Sequence, residues 1–363
     1  MSRPASLEAV LDGLQAEERL TGPAVADGRA LIERLHGVQP WYVRTMVGFG
    51  AWLASLLLIG FVAGFGLAVG GSTFLGLALM VTAVLVRRQP AVAANDFVIQ
   101  STMAVSLAGQ ALFAWGIANL LPGDEFKLGC IVVAVVSSAM FVAFPDRVHR
   151  VIMVLIAASA LTALVYALET NGIVPVLGPV LAGLLVLLDR RHAALVAKGH
   201  GPWLRPLENG VMLAAFGCLM LSTIYVLPDL GSDFTFYPQP WISTILLGAL
   251  LLYVGGDVFA RLAGPLRRNA RLLVYCLLAL LVIAAWAVPG LLLALVVVML
   301  GAACGRRGFV IAGIAFLAVF VTTYFYGIEV TLLTKSVTLV ATGAVILLAR
   351  WLLLQVLAGP GDA

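Results

Sequence analysis

Apolar residues run along this chain in long unbroken blocks separated by short polar breaks, with neither strand-like alternation nor a single helical stripe. The blocks fall at about 46–67, 70–86, 97–120, 129–144, 151–169, 173–189, 207–227, 241–258, 272–288, 290–304, 308–327 and 330–349. Most approach the roughly 20 residues that a helix needs to cross about 30 Å of hydrocarbon. A chain in lipid must satisfy its backbone within each segment, so the pattern predicts an all-α polytopic membrane protein with about twelve transmembrane helices. The first 44 residues differ. Leu7, Val10, Leu11 and Leu14 recur at i, i+3, i+4 and i+7 behind Ser6, and Pro23 opens a second short stretch carrying Leu31, Ile32 and Leu35. Residues 1–44 therefore read as a cytoplasmic amphipathic helical segment, 45–351 as the transmembrane domain and 352–363 as a short cytoplasmic tail.

Composition removes the soluble alternatives. The 363 residues are 62% hydrophobic and 11% charged, with a mean hydropathy of +1.07, well beyond a globular domain in water. The four cysteines stand singly on separate blocks and read as small apolar fillers rather than a disulfide framework. Charge supplies orientation. With the N-terminus inside, 20 of the 22 Lys and Arg fall on cytoplasmic segments, leaving Lys127 outside and Lys335 within a span. Asp124, Glu125, Glu169, Asp229, Asp233 and Glu329 fall outside. Both termini are expected in the cytoplasm, and the net charge of +4 needs no nucleic-acid partner. Arginine pairs ending at Arg88, Arg191 and Arg307 fit three parallel four-helix units, although alternating basic loops produce the same rhythm without repetition.

Three polar features interrupt the apolar blocks. Lys335 lies about six residues inside the last block, where a charge costs at least about 2.5 kcal/mol unless it snorkels or is paired. Thr331, Thr338 and Thr342 share its helical face, giving either an anion or carboxylate site or a lysine reaching for the outer surface. In the third block Asp96, Gln100 and Gln110 lie on one face with Ser106 at its edge; that face is expected to be buried, with Val105 and Leu112 opposite it against lipid. Asp96, Glu208 and Asp257 fall near cytoplasmic ends, as an acidic vestibule for cations or protons or as acids satisfied by water and arginine. Glycines from Gly60 to Gly71 permit close helix approach. The histidines His36, His149, His192 and His200 form no metal-binding pair, no serine sits in a nucleophile elbow, and no cofactor motif is present.

Three stretches, Gln39 to Phe61, Asn95 to Gly116 and Thr323 to Leu348, resemble a family of bacterial multi-pass membrane proteins known as a domain of unknown function and encoded beside GDYXXLXY membrane proteins. Tyr324 and Tyr326 followed by Leu332, Leu333, Lys335, Ser336, Leu339 and Gly343 are its most specific part. The resemblance implies the bacterial inner membrane and a GDYXXLXY-type partner, and brings no activity. Two functions are expected from the residues: a transporter or permease with unknown substrate, or a non-catalytic membrane scaffold or assembly partner.

Overall fold

The computed structural model describes residues 41–64, 69–89, 96–168, 170, 173–224, 240–262, 268–286 and 288–327, with isolated helical positions at 14–15, 25, 27–28, 333, 336–337, 340 and 347. Most of the N-terminal 44 residues and the block 330–349, including Thr331, Lys335, Thr338 and Thr342, lie outside the described residues. Among the described residues the regular structure is helical throughout. In chain order the helices are α1 (Trp41–Gly64), α2 (Val69–Arg88), α3 (Asp96–Leu120), α4 (Glu125–Ala143), α5 (Arg147–Ala167), α6 (Val174–Ala197), α7 (Gly201–Ile224), α8 (Pro240–Leu262), α9 (Arg268–Ala284), α10 (Pro289–Ala303) and α11 (Arg307–Gly327). Six described stretches are long and apolar enough to cross a membrane: Gly70–Arg88, Phe97–Leu120, Glu125–Ala143, Arg147–Ala167, Gly201–Leu221 and Trp241–Ala260. The molecule is an all-α membrane protein.

Two compact units divide the chain: Met1–Gly66 with Val81–Ala108, and Leu67–Met80 with Gly109–Ala363. In the first, α1 turns Met46, Phe49 and Leu57 outward as a lipid-facing surface requires, and a Cβ added at Gly48 would meet the Gln100 amide. In the second, consecutive helices form the hairpins α4–α5, α6–α7 and α10–α11, while α5 packs on α7 and α8 on α6, α9 and α10. The core centres on α10, whose sequence PGLLLALVVVMLGAA is apolar on every side; Leu292, Leu293, Ala294, Val296 and Val297 are fully buried. Phe216 stacks on Phe316 at 4.0 Å between ring centroids, linking α7 to α11.

Close packing in lipid depends on small residues, and the glycines that supply it differ from those expected. Gly60 and Gly70 have nothing within 4 Å of an added Cβ. Gly76 of α2 instead lies against the α3 backbone, where a Cβ would fall 2.5 Å from the Phe113 nitrogen. Leu112, expected against lipid, is only 5% exposed, because α3 is buried over a broad arc that includes Ala108, Gly109, Gln110 and Ala114. Cys130 is buried and Cys218 half-buried, as fillers should be, but Cys276 and Cys304 are exposed.

Three prolines free carbonyls that other side chains then occupy. A proline has no N–H for the carbonyl four residues earlier, and hydrocarbon offers no water as a substitute. Pro179 within α6 frees the carbonyl of Pro175, which accepts from the Ser243 hydroxyl of α8. Pro206 within α7 frees that of Pro202, and Pro145 beyond α4 frees that of Phe141; Arg150 of α5 donates to both, from Nη1 at 3.3 Å and from Nε at 3.1 Å. The Trp203 ring centroid lies 4.6 Å from the same guanidinium, within cation–π range.

Candidate functional site

The LLDRRH end of α6 and the start of α7 bring charged residues together at one end of the second unit. Gly199, at φ +84°, turns the chain between these helices, and Gly305, at φ +65°, does the same between α10 and α11. At the second turn the Arg306 amide donates to the Gly301 carbonyl at 2.8 Å, a left-handed helix end that only glycine adopts cheaply. That turn carries Arg306 toward α7.

Glu208 of α7 is fully buried, at 0% exposure. Its Oε1 lies 2.7 Å from Nδ1 of His192, and its Oε2 accepts from Nη2 of Arg306. Arg306 Nη1 is also 3.6 Å from Oδ1 of Asp189, whose carboxylate accepts from the Cys304 thiol at 3.5 Å. Beside this group Arg190 of α6 binds Asp257 of α8 and lies 5.2 Å from the Tyr253 ring. Arg306 rests 4.0 Å above the Phe309 ring. The two arginines at the start of α11 face the positive end of its dipole, and the Glu208 and Asp189 carboxylates offset that unfavourable placement. A cavity of about 660 Å³ adjoins the network, walled by Asp189, Arg190, His192, Ala193, Arg205, Asn209, Cys304, Arg306, Gly308 and Phe309.

The other residues singled out from sequence are dispersed. Gln100 lies in the first unit under Gly48, whereas Gln110 is buried in the second and Ser106 is buried in the first. Thr102, also on α3, spends its hydroxyl on the Val98 and Ile99 carbonyls at 2.7 and 2.9 Å. Asp96 begins α3, and its side chain lies outside the described residues. Glu208 and Asp257 each hold an arginine. Asp189, His192 and Arg306 were not singled out, although an acid beside an arginine pair at the end of an apolar run was a signal for the first. No group of three or more His, Cys, Asp and Glu side chains suited to a metal ion occurs among the described residues.

A family model for a domain of unknown function, DUF4401, matches residues 40–356. The chain belongs to that family. The match spans nearly all of the three stretches in which the resemblance was read, and it takes in the whole ionic network of this DUF4401 chain. No curated protein and no solved structure matches it.

Proposed function

We propose that this DUF4401 protein is a permease-like transporter of the bacterial inner membrane, with twelve spans and both termini in the cytoplasm, and that the ionic network closes its inner end. The observation that carries the reading is the buried Glu208 held by Arg306 and His192 beside a polar cavity. A buried charge network commonly stabilises no better than apolar packing, and ionisable groups at membrane depth mark pathways and gates by default. Further support comes from the opposite ends of α6 and α8, where a neutral hydroxyl-to-carbonyl bond joins the two helices while the charged end has partners it can exchange. Lys335, with Thr331 and Thr338, is proposed as a polar station in the outer half, to be tested by comparing Lys335→Met with Lys335→Arg in flux and melting.

Purified protein in liposomes, assayed against a panel of ions and small solutes, tests the function. Glu208→Gln should abolish a flux that the wild type supports or convert it to an uncoupled leak; no flux for any solute from correctly oriented protein overturns the reading. For the topology, single cysteines at Ala193 and Pro122 in a cysteine-free background should label with an impermeant maleimide only after permeabilisation and in intact cells, respectively.

A second reading, a non-catalytic scaffold for a neighbouring GDYXXLXY-type protein, draws on the dry α10 core, which offers no polar path among the described residues. Stoichiometric co-purification with that neighbour and no flux would decide for it.

A further inference from the structure

Two carboxylates of the ionic network, Glu208 and Asp257, are already engaged, and neither lines the adjoining cavity. The cavity wall itself is cationic. Arg190, Arg205 and Arg306 line it, with His192 and Asn209, against one carboxylate, Asp189. That carboxylate is occupied by the Cys304 thiol and faces Arg306. Donors are left over on three of the wall residues. Arg205 is exposed and has no hydrogen-bond or ion-pair partner among the described residues. Among the described residues Arg190 Nε and Arg306 Nη1 are buried without a hydrogen-bond acceptor, although Nη1 keeps its 3.6 Å approach to Asp189. A buried N–H with no acceptor is costly; planar guanidinium forks pair with carboxylate and phosphate alike, and a phosphate brings at least three acceptor oxygens to a wall that carries three arginines. At about 660 Å³ the cavity has room for a phosphate-bearing headgroup or a small phosphorylated solute.

We propose that this cavity binds a phosphate-type oxyanion, free in the cytoplasm or carried by an inner-leaflet lipid, with Arg205 as the principal cation and Arg190 and Arg306 supplying the further donors. The proposal rests on reading this end of the protein as the inner, working end. Equilibrium binding tests it without requiring transport, so the two fail separately: flux without phosphate-type binding removes the site, and binding without flux removes the permease.

The experiment is the melting temperature of the purified full-length protein at constant ionic strength, with inorganic phosphate against sodium chloride, and with phosphatidylglycerol against phosphatidylcholine in mixed micelles. Wild type should gain roughly 2 °C or more from at least one probe. Arg205→Gln should lose that gain, while Arg191→Gln, an exposed cation off the cavity, should keep it. A response to phosphate alone identifies a free solute and a response to phosphatidylglycerol alone a lipid headgroup; either supports the site. No gain from either probe in wild type, or an undiminished gain in Arg205→Gln, overturns it.

Discussion

Helices α6 and α8 are joined at both of their ends, by different chemistry. At one end Ser243 donates to the carbonyl that Pro179 frees, and its neighbour Thr244 donates to the Trp286 carbonyl at 2.9 Å. At the other, Arg190 binds Asp257, and His192 and Arg306 converge on buried Glu208. The neutral end repairs a defect in the backbone and takes no part in salt or proton equilibria. The charged end holds together only while each charge keeps an opposite, which makes it the end that an ion, a proton or a ligand can release.

The strongest test of this contrast is Arg306→Met. Leaving Glu208 buried without its guanidinium should cost about 3–5 kcal/mol of stability in detergent. Adding Glu208→Leu should recover most of that loss, since an apolar pair of similar volume replaces the ion pair at little cost. If Arg306→Met melts with wild type, the charged end is no more partner-dependent than the neutral one.

Arg150 combines both kinds of chemistry, a charged donor spent on two proline-freed carbonyls. Arg150→Met should cost about 2–3 kcal/mol, as two part-buried carbonyls lose their charged donor. In a Pro206→Ala background the Pro202 carbonyl regains a backbone N–H, so the same substitution should cost about 1 kcal/mol less. An unchanged cost in the two backgrounds would mean that the bond to the Pro202 carbonyl contributes nothing to the loss.

At the neutral end Ser243→Ala should cost about 1–3 kcal/mol, and Pro179→Ala should remove most of that difference. Changing salt from low to high should leave this term untouched while weakening the Arg190–Asp257 pair, which is partly exposed. A salt-dependent Ser243 effect would erase the distinction between the ends.

The smallest effect is expected at Asp124, which caps α4 by accepting from the Phe126 and Lys127 amides at 3.0 and 3.2 Å. The Lys127 amide and ammonium hold its carboxyl below the usual 3.8. A lowered folded pKa adds stability that is complete above the ordinary value and fades as pH falls through the folded one. The melting difference between wild type and Asp124→Ala should therefore be constant from about pH 7 to 5 and shrink below about pH 4. A difference that persists unchanged into strong acid would show that the cap works without its charge.

Much of the fold was legible because apolar runs report the helices themselves: each of the first eleven runs falls on one described helix, and the twelfth lies largely outside the described residues. The face of α3 was not. A helical wheel gives one polar arc, but small residues such as Ala108, Gly109 and Ala114 let neighbours close in well beyond it, which buries Leu112. For the site, Glu208 and Asp257 stood out as acids in apolar surroundings. Their partners did not, since Arg190 and Arg306 look like ordinary orientation charges until the helices are assembled.

By itself the sequence determined that this chain is helical and membrane-bound, and which carbonyls its prolines leave without a donor: those of Phe141, Pro175 and Pro202. These are local consequences, because a helix in hydrocarbon satisfies its backbone four residues away and a proline breaks that rule at a fixed distance. Only the tertiary structure decided who fills the gaps. Pro202 receives a donor from 52 residues away and Pro175 from 68, while Arg306 reaches Glu208 across 98. Helix packing sets such pairings, and packing depends on which small residues let two helices approach, a property of the assembled surfaces that no periodicity along the chain encodes.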